Sequence, residues 1–292
     1  MKIGCLQFNP QVGDVENNIK RAEAILADGD PKDLDLLILP EMAFSGYNFK
    51  SLEHISPYLE PTVAGTTAEW AKNIAMKYGC VVVAGYPEKA AASPVDMELT
   101  KRFNSAILVH PQGTTIANYR KSFLYYTDET WADESPDSFF SGEIEGLGRT
   151  VLGICMDLNP YKFKAPWVEF EFAHHALRKD AELVIVSMAW STLHNHESYT
   201  QEPQEPDIDS LIYWAERLAP IIRGKFQQEI IVVLANRCGS EGDTVYVGTS
   251  CVLGIKEGEV SIYGILGRGE ERLLLADTQG SKNSLWEFPD LL

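Results

Sequence analysis

The arrangement of apolar residues along the chain is what most limits its fold. Short runs rich in Val, Ile and Leu alternate with longer stretches whose apolar residues have helical spacing. Strands that are apolar at nearly every position must be covered on both faces, which is typical of sheets flanked by helices. The pattern therefore predicts an α/β protein. The strand-like runs are Ile3–Phe8, Leu34–Leu39, Cys80–Tyr86, Ser105–Val109, Thr150–Cys155, Leu183–Met188, Ile230–Ala235, Gly248–Ile255 and Arg272–Ala276.

The segments between these runs predict helices, hairpins and loops. The helical stretches are Glu16–Ala27, Thr66–Tyr78, Val168–Lys179 and Ile212–Gln228. Turn sequences at His110–Gly113 and Lys256–Glu259 each join two strand-like runs, which predicts two antiparallel hairpins. Three loops are long, at Ala90–Thr100, Ser122–Gly148 and Ser191–Pro206, and long loops in compact proteins are commonly functional. No linker divides the chain, so we expect residues 1–292 to form a single domain.

Charge and cysteine usage exclude several classes of function. The chain has 25 Lys and Arg against 42 Asp and Glu, a formal charge of −17, which repels phosphate backbones and argues against nucleic-acid binding. The five cysteines are scattered without a CxxC pair, and the histidines have no recognisable third ligand, so we expect free thiols and no metal site. No apolar run is long enough for a membrane span, and no signal-peptide pattern is present. We therefore expect a cytoplasmic protein with no membrane contact.

Three reactive side chains stand where predicted strands end. Glu41 follows Leu36–Pro40, Lys121 follows the first hairpin, and Cys155 ends the run that begins at Thr150. Open α/β sheets build their sites at the ends of strands. Each residue also has an ordinary interpretation, as a solvated Glu or Lys or as a small buried Cys. Only the occurrence of all three residues at the ends of strands indicates a catalytic site.

The sequence around these residues resembles the nitrilase superfamily of carbon–nitrogen hydrolases. The strings LPEMAFSGY, RFNSAILVHPQGTTIANYRKSFL, GICMD and VSMAW occur in the family's order, and the resemblance runs from Met1 to about Asp277. The segment that follows Cys155 is similar to the N-terminal amidase branch, whose members hydrolyse the side-chain amide of an N-terminal Asn or Gln. The family fold is a four-layer α-β-β-α sandwich. The resemblance also implies a homodimer, although the spacing of Lys162–Trp167 departs from the family, and a monomer is the alternative.

The resemblance implies a catalytic triad, and amide hydrolysis requires the same chemistry. Cys155 would attack the amide carbon and form a thioester, and Glu41 would carry protons to and from the reacting groups. Lys121 and the backbone N–H of Met156 would stabilise the oxyanion, and Lys121 would also lower the pKa of the thiol. No cofactor is needed. A second glutamate of the family, which orients the lysine or the substrate, would be Glu129, with Glu134 as the alternative.

The substrate requires further groups around the nucleophile. A peptide N-terminus carries an ammonium group, and Asp157 and Asp128 are the candidate carboxylates for binding it; Asp157 is an equally good candidate for bracing the nucleophile turn. Aromatic side chains should wall the pocket, since small-ligand sites are mostly apolar. The candidates are Phe44, Tyr47, Tyr125, Trp131 and Trp190. The alternative functions are an ω-amidase or carbamoylase acting on free small amides, and a noncatalytic binding module with the same fold.

Overall fold

Two seven-stranded sheets form the centre of the molecule. The computed structural model describes residues 1–91, 100–194, 196–280 and 284–286; residues 92–99, which make up most of the predicted loop Ala90–Thr100, lie outside it. The first sheet has the order β16-β1-β2-β4-β5-β6, with β3 beside β4. Its strands are β1 (Lys2–Gln7), β2 (Leu36–Ile38), β3 (Glu60–Pro61), β4 (Val81–Lys89), β5 (Arg102–Val109), β6 (Thr115–Arg120) and β16 (Arg272–Asp277).

The second sheet has the order β17-β15-β14-β11-β9-β8-β7. Its strands are β7 (Phe140–Ile144), β8 (Gly148–Ile154), β9 (Leu183–Met188), β11 (Ile230–Asn236), β14 (Cys251–Lys256), β15 (Glu259–Ile265) and β17 (Ser284–Trp286). A small third sheet joins β10 (Ser191–Thr192), β12 (Ser240–Glu241) and β13 (Thr244–Tyr246). Both predicted hairpins are confirmed, as β5–β6 and β14–β15.

Alternation of side chains along the strands explains the layers. In β4, Val81 and Val83 belong to the core shared with the second sheet. Val82 and Ala84 belong to a core that also contains residues of two helices, α1 (Val15–Gly29) and α3 (Thr66–Tyr78). Successive side chains of a strand point to opposite faces, so the first sheet lies between these helices and the second sheet.

Helices also cover the outer face of the second sheet. They are α4 (Glu171–Arg178), α6 (Ile208–Arg217) and α7 (Ala219–Arg223), and their apolar residues join the core of that sheet. Two helices of four residues each, α2 (Leu52–Ile55) and α5 (His196–Tyr199), lie in connecting segments. The layers are therefore α-β-β-α, which confirms the expected fold class.

The structure corrects several predicted segments. The predicted loop Ser191–Pro206 contains β10 and α5. The predicted helix Val168–Lys179 is divided at Phe170 between the short helix Trp167–Glu169 and α4.

Ile212–Gln228 is not one helix, because α6 ends at Arg217 and α7 begins at Ala219. Pro220 stands in the first turn of α7, the helix position that tolerates a residue without a backbone N–H. The predicted loop Ser122–Gly148 contains the edge strand β7. No helix in the described parts of the chain combines the length and apolarity needed to cross a bilayer.

Candidate active site

Cys155 occupies a sharp turn at the end of β8. Its φ of 42° lies in the left-handed region, which costs a residue with a Cβ about 1–3 kcal/mol. The side chain of Asp157 holds this turn, because one carboxylate oxygen accepts from the backbone N–H of Ile154 at 2.8 Å. The other oxygen accepts from the backbone N–H groups of Ser122 and Phe123, at 3.1 and 2.8 Å. Asp157 therefore joins the turn at Cys155 to the segment that follows Lys121.

Glu41 and Lys121 are fully buried together. The Nζ atom of Lys121 lies 2.6 Å from Oε1 of Glu41 and 2.6 Å from Oδ2 of Asp128. All three side chains are 1% exposed or less. An ammonium group has three N–H donors, so these two ion pairs leave one for another acceptor. Glu41 and Lys121 both follow strands of the first sheet, whereas Cys155 follows a strand of the second.

Two further donors fix the orientation of the Glu41 carboxylate. The side-chain amide of Asn104 donates to Oε1 of Glu41 at 2.6 Å and to Asp128 at 3.0 Å. The backbone N–H of Ala189, just after β9, donates to Oε2 of Glu41 at 2.8 Å. Oε1 thus accepts two hydrogen bonds, whereas Oε2 accepts one from the described residues. Oε2 is therefore the oxygen with room to accept a proton.

Cys155 lies in the wall of a cavity of about 490 Å³. This volume is in the range of pockets that hold small ligands, about 300–1,000 Å³. The walls are largely aromatic and apolar, and two aspartates contribute carboxylates. The lining residues are Tyr47, Tyr125, Cys155, Met156, Asn159, Phe163, Ala189, Trp190, Ser191, Thr192, Leu193, His194, Asp207, Asp209, Ser210 and Tyr213. Glu41 and Lys121 are absent from this wall.

Comparison with known proteins identifies the family. A family model described as carbon–nitrogen hydrolase matches residues 2–158. The protein N-terminal amidase of Schizosaccharomyces pombe is 33% identical over 294 residues, which cover 96% of this chain and 100% of that protein. The chain belongs to the carbon–nitrogen hydrolase family. The protein N-terminal amidase of Saccharomyces cerevisiae is 37% identical over 228 residues, which cover 67% of this chain and 48% of that protein.

Solved structures of an N-terminal amidase also match over nearly the whole chain. The crystal structure of an N-terminal amidase with an Asn-Glu-Ala peptide has a TM-score of 0.81 and 25% sequence identity. The match covers 94% of this chain and 96% of that one. The expected family membership, fold and enzyme class are thereby confirmed.

Burial dominates the electrostatics of the hydrolase site. It raises the pKa of the Cys155 thiol well above its ordinary value, and Glu41 raises it further. Lys121 acts in the opposite direction, as expected, but does not prevail. Burial also raises the pKa of Glu41, although Lys121 opposes this. The thiol therefore holds its proton at rest and needs a base in order to react.

Lys121 remains charged in this setting. Burial lowers the pKa of its ammonium group, but the Asp128 and Glu41 carboxylates raise it above the ordinary value. The two neighbouring carboxylates therefore keep Lys121 protonated.

The structure corrects the expectation for the second acidic residue. Glu129 is exposed, and its carboxylate is not a partner of Lys121. Glu134 is also exposed and binds Tyr161 and Lys162. Asp128 takes the place beside Lys121, because the short helix Asp128–Thr130 turns that side chain inward and its neighbour outward.

Neither aspartate proposed for the ammonium group is free to bind it. Asp128 already accepts from Lys121, Asn104, the hydroxyl of Tyr47 and the backbone N–H of Tyr125. Asp157 accepts from three backbone N–H groups and from the hydroxyl of Tyr119 at 2.6 Å. Both are completely buried. The structure therefore favours the bracing role for Asp157.

The aromatic candidates divide into two groups. Tyr47, Tyr125 and Trp190 line the cavity. Trp131 instead packs in a buried cluster with Tyr47, and Phe44 packs against Trp70 behind the first sheet. These two side chains are therefore core residues, which corrects the expectation that they wall the pocket.

Sequence reasoning missed Asn104 and Ala189. The polar pair Asn104-Ser105 inside the apolar strand β5 was an available signal, because a buried amide needs partners. Ala189 acts through its backbone, which carries no side-chain signal. Among the described residues, no group of three or more His, Cys, Asp or Glu side chains is placed to hold a metal ion.

Proposed function

We propose that this carbon–nitrogen hydrolase deamidates N-terminal Asn, and also Gln, of peptides or proteins through a thioester on Cys155, with release of ammonia. The observation that carries the proposal is the position of Cys155, which lines a cavity and interacts electrostatically with the buried Glu41, Lys121 and Asp128. The relatives named above as N-terminal amidases, one of them solved with an Asn-initiated peptide, support the substrate class.

The first half of the reaction forms the thioester. Glu41 takes the thiol proton on Oε2, and the Cys155 sulfur attacks the carbon of the side-chain amide. The carbonyl oxygen becomes negative and is stabilised by the remaining N–H donor of Lys121 and by the backbone N–H of Met156. When the tetrahedral intermediate collapses, Glu41 returns the proton to the amide nitrogen, the C–N bond breaks and ammonia leaves.

The second half hydrolyses the thioester. Glu41 is again a carboxylate and takes a proton from a water molecule, which attacks the thioester carbon. The C–S bond breaks, the proton passes to the Cys155 sulfur, and the product peptide begins with Asp or Glu. The buried ion pair explains how Glu41 alternates between base and acid, since burial raises its pKa and Lys121 lowers it.

Asp209 of the cavity wall is the proposed partner of the substrate ammonium group, since it is exposed in the first turn of α6. The other aspartate of the wall, Asp207, is buried and already accepts from the backbone N–H of Ser210 at 2.7 Å and from the hydroxyl of Tyr199 at 2.8 Å. Among the described residues that line the cavity, none is Lys or Arg. A cation that enters therefore meets the carboxylate of Asp209, which replaces Asp128 and Asp157 in this role.

Ammonia release from matched peptides tests the proposal. We expect turnover of peptides that begin with Asn or Gln, and very little from the N-acetylated forms or from internal Asn. Loss of a charge-assisted hydrogen bond costs at least about tenfold in efficiency. Equal rates on free and acetylated peptides would refute the N-terminal assignment, and faster turnover of free small amides would favour an ω-amidase or carbamoylase.

Asp209→Asn tests the ammonium partner. The change removes one carboxylate and keeps the shape of an exposed residue, so the fold should persist. We expect kcat/KM for free peptides to fall about tenfold, while alkylation of Cys155 by iodoacetamide keeps its wild-type rate. The matched variant Asp133→Asn changes an exposed aspartate outside the cavity wall and should not alter kcat/KM.

Three further expectations stay predictions. We propose a cytoplasmic enzyme, a homodimer, and one domain over residues 1–292. The shared core of the two sheets supports the last of these. Sedimentation of the purified protein would decide between the dimer and the monomer.

A further inference from the structure

Three aromatic rings form an exposed cluster beside the catalytic cavity. The ring centroids of Tyr125 and Tyr126 are 5.2 Å apart, and those of Tyr126 and Phe163 are 5.9 Å apart. Tyr125 and Phe163 complete the triangle at 6.2 Å. Tyr126 is 62% exposed and Phe163 is 44% exposed. Contiguous apolar surface of this kind on a protein marks a site of interaction.

The cluster is continuous with the wall that holds the nucleophile. Tyr125 and Phe163 line the same cavity as Cys155, whereas Tyr126 lies outside the lining. The backbone presents Phe163 in an uncommon conformation, because both Lys162 and Phe163 have φ of 53°. Residues with a Cβ persist in this region only where the surroundings stabilise it, and such residues gather at ligand sites.

The part of the substrate that contacts this aromatic cluster follows from the direction in which the peptide leaves the cavity. The first residue of the peptide places its side-chain amide at Cys155, so the rest of the peptide must leave through the open side of the cavity. Asp207 and Asp209 also belong to the cavity wall and repel acidic side chains. The aromatic cluster attracts apolar and aromatic side chains, because rings at these distances gain from contact with another ring.

We propose that Tyr125, Tyr126 and Phe163 form the subsite for the second residue of the substrate, and that this subsite selects apolar or aromatic side chains over acidic ones. The inference rests on the proposed function and adds a preference at the next position. The cavity supports it, since about 490 Å³ is room for a ligand larger than one Asn side chain.

The test compares three peptides that differ only in the second residue: Asn-Phe-Gly-Gly, Asn-Gly-Gly-Gly and Asn-Glu-Gly-Gly. With the wild-type enzyme we expect kcat/KM for the Phe peptide to exceed that for the Gly peptide about three- to tenfold. The Glu peptide should be the slowest. In Phe163→Ala and, separately, Tyr126→Ala, the ratio of Phe to Gly should fall toward one.

Matched controls separate the ring from other effects. Tyr126→Phe keeps the ring and should keep the preference. Met76→Ala changes an exposed apolar residue on α3 and should alter neither the rates nor the ratio. Circular dichroism checks that each variant is folded. If Phe163→Ala is unfolded, Tyr126→Ala alone provides the test.

The outcomes distinguish the two proposals. If no Asn-initiated peptide releases ammonia, the proposed function is wrong. Equal kcat/KM for the three peptides would overturn the subsite while the function stands. A Phe preference that persists in both alanine variants would place the subsite elsewhere on the molecule, and the inference would again fail.

Discussion

Replacing Asp128 by Asn tests which acidic residue supports Lys121. The change keeps the shape of the side chain and removes the charge that lies 2.6 Å from Nζ of Lys121. One oxygen becomes an amide NH2 group, so either Lys121 or Asn104 meets a donor where it had an acceptor. Removing one partner of a buried ion pair costs about 3–5 kcal/mol, and we expect about 3 kcal/mol because Glu41 still balances Lys121.

The effect on catalysis comes from the position of the ammonium group. Loss of one well-placed donor to an oxyanion lowers kcat about 10²–10³-fold, and we expect a decrease of this size in Asp128→Asn. The pH profile should change as well. Asp128 raises the pKa of Glu41, so its removal should lower that pKa and move the acid limb of kcat/KM to lower pH. A purely structural role for Asp128 would not move this limb.

The assay is ammonia release from an Asn-initiated peptide, together with urea unfolding of each variant. Glu129→Gln is the matched control, since it changes the adjacent exposed carboxylate and should leave kcat and stability at wild-type values. The reasoning is refuted if Glu129→Gln is as damaging as Asp128→Asn. It is also refuted if Asp128→Asn keeps nearly full activity.

Four other outcomes are expected. Cys155→Ala should lower turnover at least ~10³-fold, while Cys238→Ala, a buried thiol outside the catalytic cavity, should stay active; substantial activity in Cys155→Ala would exclude the thioester. Lys121→Met should lower kcat about 10²–10³-fold, and Glu41→Gln at least as much, as measured by ammonia release. Burial raises the pKa of Asp157 to about 6. Its carboxylate accepts all four of its hydrogen bonds, so protonation of Asp157 disturbs the turn at Cys155. We therefore expect kcat/KM to fall as the pH drops through about 6, and the rate of Cys155 alkylation to change over the same range. A metal chelator should leave the rate unchanged, and inhibition that zinc reverses would contradict this mechanism.

The main strands and the pairing of Glu41 with Lys121 could be predicted from the sequence because their signals are local, and the catalytic roles of these residues and Cys155 stay predictions. Continuous apolar runs predicted the strands, and sequence motifs that resemble the family predicted the roles of Glu41, Lys121 and Cys155. The expectation that Glu129, or alternatively Glu134, stands beside Lys121 was wrong, because Asp128 takes that place. Which of two adjacent acidic residues faces inward depends on a single helical turn, and that turn is set by tertiary packing.

The features of the site that the sequence did not predict depend on contacts between residues far apart in the chain. Asp157 serves as an acceptor for backbone N–H groups from a segment more than 30 residues earlier in the chain, which no spacing rule reports. Ala189 donates to Glu41 across 148 residues, through its backbone alone. Trp131 was expected in the pocket wall because it is aromatic. Its burial in the cluster with Tyr47 depends on how the whole loop folds, which local sequence does not show.

The return of β16 to the first sheet affects when the enzyme becomes active during its synthesis. Strands β1 to β6 are made early, yet β1 takes its antiparallel partner from Arg272–Asp277. Cys155, Ala189 and the strands of the second sheet other than β17 lie between them in the chain. A nascent chain on the ribosome thus holds Glu41 and Lys121 long before their sheet is complete. We therefore expect catalytic competence only after β16 has emerged and paired with β1.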